Sequence, residues 1–139
     1  MANTIPFSLI TPVAVKFDGA AELVIAVTTE GEEGFLPSHA PFLAALKPGV
    51  LRANIVENGA SRRLELATSE GFVQALPDKI VVLADAAFLH AEIDVAQTRE
   101  ELSTAQEALK AAGSDATAAA RQQVKIDFAT AKLKVAGDG

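Results

Sequence analysis

The chemistry open to this chain rests on very few residues. His39 and His90 are its two histidines, and it contains no cysteine. A metal site needs companion ligands at helical or loop spacing, and neither histidine has them beside it. Without cysteine there is no thiolate ligand, no thiol nucleophile and no disulfide. Ser38 adjoins His39, but an activated serine needs an imidazole that faces it and an acid that orients the imidazole. Sequence neighbours need not face each other, and no Gly-x-Ser-x-Gly elbow is present. Glu32 and Glu33 could act as paired carboxylates, yet adjacent residues on a strand point to opposite faces. No phosphate-cradling glycine loop occurs. The expectation is a chain without catalytic, cofactor-binding or metal-binding residues, with a small enzyme using His39 kept as one of three readings.

Composition narrows the partners. The net charge of −6 leaves no basic stripe to neutralise phosphates, which argues against nucleic acid. Half of the residues are apolar, but there are only seven Phe and no Trp or Tyr, so a core must be built from Val, Ile, Leu and Ala. No apolar run approaches the roughly 18 residues of a membrane-spanning helix, and no charged start leads into an apolar signal region. A soluble intracellular protein is expected.

Two halves differ in period. Residues 1–87 alternate short runs of Val, Ile, Leu and Thr with Gly, Pro, Asn and Asp. Strands are expected at 7–11, 13–17, 21–28, 49–57, 62–68, 71–76 and 80–84, forming an antiparallel beta-sandwich or barrel. Asn58-Gly59 fits a type I′ turn, whose two central residues both need positive φ, and Pro77-Asp78 marks another turn. Residues 88–139 are rich in Ala, Glu, Gln, Lys and Leu, all good helix formers. Asp94 is placed to cap a first helix, and Gly113-Ser114-Asp115 to end it and cap a second. Val95, Thr98, Leu102, Ala105, Leu109 and Ala112 form one stripe; Ala120, Val124, Phe128, Ala131 and Val135 form another. So short a link implies an antiparallel two-helix hairpin, and the fold class is α+β.

A second apolar set, Ile126, Ala129 and Leu133, lies off the main stripe of the second helix. It packs either onto the sandwich or against a partner once the hairpin lifts. Charge favours the hairpin: residues 91–112 carry Glu92, Asp94, Glu100, Glu101 and Glu107 against Arg99 and Lys110. Residues 116–135 carry Arg121, Lys125, Lys132 and Lys134 against Asp127. Each exposed pair contributes only tenths of a kcal/mol, about 0.2–0.5 at helical spacing.

The 31–41 segment, Gly-Glu-Glu-Gly-Phe-Leu-Pro-Ser-His-Ala-Pro, brackets a histidine with two glycines and two prolines. Its backbone is stiff and shaped, suited to contact. With Leu46-Lys47-Pro48-Gly49, Gly71-Phe72-Val73, the 77–86 run and Ile93-Asp94, it resembles the ATP synthase epsilon family, called delta in mitochondria. The resemblance spans nearly the whole chain. It implies a non-catalytic rotor subunit of the central stalk, on the cytoplasmic face of a bacterial inner membrane and peripheral to it. Its implied partners are the gamma subunit and the c-ring, and the alpha/beta head when the hairpin extends to block ATP hydrolysis. On this resemblance Glu32 and Glu33 lie at the c-ring contact, and His39 and Pro41 at the gamma contact. Arg99, Arg121, Lys125, Lys132 and Lys134 belong to the regulatory hairpin.

Two departures from the family pattern matter. Ser38 stands where the family usually has Gly, which restrains the loop. The Ile/Leu-Asp-x-x-Arg-Ala motif of ATP-binding relatives becomes Ile93-Asp94-Val95-Ala96-Gln97-Thr98, and Arg99 lies about 200° around the helix from the motif's Arg. No cofactor is expected, ATP included. The remaining reading is a free-standing protein-interaction module with no ATP synthase role.

Overall fold

The computed structural model describes residues 3–137. Nine strands are followed by two helices: β1 (Ile5–Ile10), β2 (Val15–Thr28), β3 (Gly31–Phe35), β4 (Phe42–Leu46), β5 (Gly49–Glu57), β6 (Ala60–Thr68), β7 (Gly71–Leu76), β8 (Lys79–Ala84), β9 (Ala87–Leu89), α1 (Val95–Ala111) and α2 (Ala116–Ala136). The strand order is β1-β8-β7-β4-β2-β5-β6-β9, with β3 on β2 and β1 also paired to β2. The long β2 therefore serves both layers, and its pairing with β1 closes the ring of strands.

Alternation builds the core. On β5, Leu51, Ala53 and Ile55 point inward; on β7 and β8, Val73, Ala75, Ile80 and Val82 do the same. They meet Ile5, Phe7, Leu9, Val24 and Leu66 in one cluster. Both expected turns are present. Asn58 and Gly59 have φ of 51° and 78°, and Glu57 pairs with Ala60 across them. Leu76 pairs with Lys79 across Pro77-Asp78.

Four features differ from the sequence reading. The strands expected at 13–17 and 21–28 are one strand, because Asp18-Gly19 is not a turn. Gly19 instead makes room for a ring: a Cβ there would lie 2.9 Å from Phe17 Cζ. Strands β3, β4 and β9 fall where the sequence reading set none, since Gly-Glu-Glu-Gly and short Ala-containing runs carry no alternation. The sandwich is not wholly antiparallel, for β1 and β8 pair in parallel.

The fourth difference concerns the helices. The caps are as expected: Asp94 accepts from Gln97 N–H, Asp115 accepts from Ala118 N–H, and Gly113 has φ of 56°. The two stripes of α2, however, exchange roles. Phe128, Ala131 and Val135 pack on Val50, Ala67 and Ile93, so the main stripe covers the outer face of β5 and β6. Ile126, Ala129 and Leu133 lie about 180° around the helix from that stripe. They face α1, which packs against α2 and not onto the sheet. The physical reason is layering: α2 lies between sheet and α1 and must be apolar on both sides. Small Ala67, paired with Val50, lets the helix approach closely.

Candidate interaction surfaces

The 31–41 segment is built on an aromatic anchor. Phe35 is buried, with its ring 5.3 Å from the His39 ring and 5.4 Å from Phe42. Ser38 N–H donates to the Pro77 carbonyl at 3.2 Å, tying the loop to the β7–β8 turn. Ser38 has φ of 65°, a left-handed conformation that a side chain disfavours. His39 Nδ1 meets the Ala40 carbonyl, and Nε2 is buried without a hydrogen-bond partner among the described residues. The imidazole thus lies against Phe35, and among the described residues it has neither an acid as ion-pair partner nor a bond to Ser38. Pro41 is exposed and leads directly into β4.

Beside this loop the outer face of the sheet is apolar. Register places Ala45, Phe72, Leu83 and Ile10 in one cross-strand row over β4, β7, β8 and β1. Leu43, Gln74, Val81 and Ser8 form the next row. Leu43 is 68% exposed, Phe72 57% and Leu83 50%. A cleft running along the first row continues to Pro12, and Val13 beyond it is 92% exposed. Scattered apolar side chains on a surface need no explanation, but a contiguous patch of large ones marks an interface. The 31–41 loop lies by the β7–β8 turn, next to Leu43, and the Phe72–Leu83 row lies at the other end of these strands. Phe72, Leu83 and Leu43 themselves were missed, and their signal was apolar residues on both faces of β4, β7 and β8.

Glu32 lies on a different face. Its carboxylate is 2.8 Å from the Arg52 guanidinium, and both line a cleft with Arg63, Glu65, Asp127 and Lys134 between the sheet and α2. Glu32 pairs with Val27 and Glu33 with Ala26, so the two acids project to opposite sides of β3. They do not act as a pair. His90 is exposed, in a 3-10 turn at residues 90–92. Glu92, in the same turn, accepts from Leu89 N–H at 2.8 Å and from Lys16 Nζ at 2.9 and 3.0 Å. The Leu89 amide first, and then the Lys16 ammonium, hold its carboxyl below the usual range.

The hairpin cations divide. Arg99, Arg121, Lys125 and Lys134 are exposed. Lys132 is buried, bonded to Glu101 Oε1 at 2.7 Å and packed against two phenylalanine rings. Its signal was the Phe128-x-x-x-Lys132 spacing, which sets a cation over a ring one helical turn away. At the start of α1, the Asp94 carboxylate is taken by Gln97 N–H, and Thr98, buried, donates its hydroxyl to the Asp94 carbonyl at 2.7 Å. Among the described residues no group of three or more His, Asp or Glu could hold a metal ion, and no helix is long and apolar enough to cross a membrane.

Comparison with known proteins agrees with this architecture. Residues 4–90 match the family described as ATP synthase, Delta/Epsilon chain, beta-sandwich domain. The ATP synthase epsilon chain of Chromobacterium violaceum is 39% identical over 118 residues, 85% of this chain and 82% of that one. That of Halalkalibacterium halodurans is 34% identical over 134 residues, 96% and 98% of the two chains. A chain in the cryo-EM structure of the Euglena gracilis mitochondrial ATP synthase, OSCP/F1/c-ring, has the same fold. It superposes with a TM-score of 0.76 at 20% identity, covering 96% of this chain and 81% of that one. One in the Tetrahymena thermophila mitochondrial ATP synthase central stalk and c-ring gives 0.57 at 19% identity, covering 94% and 97%. The family model spans well over half of the chain and the relatives align over most of their own length, so the chain belongs to the ATP synthase delta/epsilon family.

Proposed function

We propose that this chain is a non-catalytic central-stalk subunit of a proton-translocating F-type ATP synthase, coupling the c-ring to gamma at the cytoplasmic face of a bacterial inner membrane. The observation that carries the proposal is the exposed apolar face of β4, β7, β8 and β1, which begins at Leu43 next to the His39 loop and runs to Phe72 and Leu83. Leu43, Phe72 and Leu83 in contiguous rows fit a permanent protein partner, and His39 and Pro41 sit at the edge of that face. Gamma is that partner in this reading. Glu32 and Glu33, on the separate β3 edge, contact the c-ring. The exposed cations of the hairpin meet the alpha/beta head when it extends and restrain ATP hydrolysis. ATP itself is not bound, because Asp94 and Thr98 are spent on the helix start and Gln97 carries no positive charge.

The test is co-purification of tagged full-length chain with the gamma subunit and c-ring of its own organism, beside Leu43→Asp. Retention of both partners by the wild type and loss of gamma by Leu43→Asp, with the fold unchanged, is the expected result. Recovery of neither partner by the wild type returns the chain to a free-standing interaction module. Gamma binding unaffected by Leu43→Asp removes the apolar face from the contact.

A further inference from the structure

We infer that Lys132 is the latch that holds the helical hairpin on the sandwich, and that Phe88 is its catch. Lys132 Nζ lies 4.9 Å from the ring centroid of Phe88 on β9 and 4.9 Å from that of Phe128 on α2, and 2.7 Å from Glu101 Oε1 on α1. The two rings are themselves 5.9 Å apart. The side chain is 8% exposed, so a full ammonium is held out of water at the point where sheet, α1 and α2 meet. Such a burial costs several kcal/mol unless the charge is compensated, and one carboxylate with two ring faces supplies the compensation.

The three partners are not equivalent. Phe128 is one turn away on the same helix, and Glu101 moves with the hairpin. Only Phe88 belongs to the sandwich. The Lys132–Phe88 contact therefore exists when the hairpin is docked and is lost when it leaves, which makes it a differential interaction that biases a two-state equilibrium. The other apolar docking contacts are those of Ala67, Ala131, Val135, Phe128, Val50 and Ile93, with the Phe88–Phe128 ring pair. A cation–π contact shielded from water adds to these about as much as a well-buried side chain would. Phe88 is held ready by Lys16, whose ammonium lies 6.0 Å from its centroid and is anchored by Glu92.

The chain has no cysteine, so a single engineered thiol reports undocking without interference. Ala67 is fully buried on the outer face of β6 beneath α2, and Ala75 is fully buried inside the sandwich. Labelling rates of Ala67→Cys then read hairpin lifting, and those of Ala75→Cys read unfolding. In isolated full-length chain, Phe88→Leu is expected to accelerate labelling at position 67 about tenfold. In a Lys132→Met background the same change should accelerate it less than about twofold, and position 75 should be unaffected in both. Equal acceleration with and without Lys132 would overturn the latch, since Phe88 would then be apolar filling. Parallel acceleration at position 75 would overturn it too, because the contact would then serve folding and not docking. Phe88→Tyr, which keeps a ring face, is expected to label like the wild type, and acceleration equal to that of Phe88→Leu would likewise refute the cation–π role. The regulatory consequence rests on the proposed stalk role, but this measurement uses the chain alone. Failure to assemble with gamma would count against that role and leave the labelling result standing.

Discussion

Replacing Ser38 by Gly should stabilise this protein, although it removes a side chain from the loop that names the family. Ser38 has φ of 65°, where an L-residue pays roughly 1–2 kcal/mol for crowding between Cβ and the following carbonyl. Glycine is free of that strain but gains unfolded-chain entropy, a cost of about 0.5–1 kcal/mol. The Ser38 side chain is exposed, and the contact that fixes the residue is its backbone N–H to the Pro77 carbonyl at 3.2 Å, which glycine keeps. The difference is a gain of about 0.5–1 kcal/mol, or roughly 2–4 °C in melting temperature for a chain of this size. Calorimetry or urea unfolding of Ser38→Gly, Ser38→Asn and Ser38→Ala measures it. The expected order of stability is Gly above Asn above Ser, because Asn tolerates the left-handed region, with Ala at or below Ser. The reasoning is refuted if Ser38→Ala rises as much as Ser38→Gly, since alanine keeps the strain and loses only the hydroxyl.

Gly71→Ala should do the reverse: a Cβ there would sit 1.8 Å from the Leu83 carbonyl oxygen and 2.8 Å from Ala84 Cα, both backbone atoms of the paired strand. A loss of about 3 kcal/mol or more is expected from urea midpoints, and a loss below about 1 kcal/mol would mean that β7 and β8 part easily. For Glu92 the folded pKa is depressed, so its contribution is present above the ordinary carboxylate value of about 4.3 and disappears as pH falls through the lower folded value. Because its side chain is 41% exposed, Glu92→Gln should cost no more than about 1 kcal/mol at pH 7, shrinking towards pH 3 in urea titrations at both pH values. A cost that grows on acidification would reverse the sign and refute the assignment. Glu32→Ala breaks a half-exposed pair with Arg52 and should change stability by less than about 1 kcal/mol, so a larger loss would give Glu32 a structural role.

What could be read from the chain follows from which interactions are local. Asn58-Gly59, Pro77-Asp78, Asp94 and Asp115 were legible because turn and cap geometry is decided within four residues, by positive φ or by one side-chain acceptor. The parallel pairing of β1 with β8 was not legible, since it joins segments some seventy residues apart and leaves no periodic trace. Strand β3 was hidden for a different reason. Gly-Glu-Glu-Gly lacks apolar alternation because, among the described residues, β3 pairs with β2 alone, and charged side chains on such an edge discourage further pairing. The apolar face of β4, β7 and β8 also blurred the pattern, because strands apolar on both sides resemble buried strands of a larger sheet. Periodicity in α2 found two stripes but could not say which partner each would meet. Charge along α2 has the same weakness: it does not separate Lys132 from the exposed cations, whereas Ala131, Lys132, Leu133 and Val135 are all buried in the last turns of α2. A lysine inside that apolar run, one turn from Phe128, is the local sign of a cation that folding takes out of water. Its partners, Phe88 and Glu101, lie 44 and 31 residues away and only the fold brings them to it. The docked hairpin therefore depends on contacts between distant segments, which local pattern does not describe.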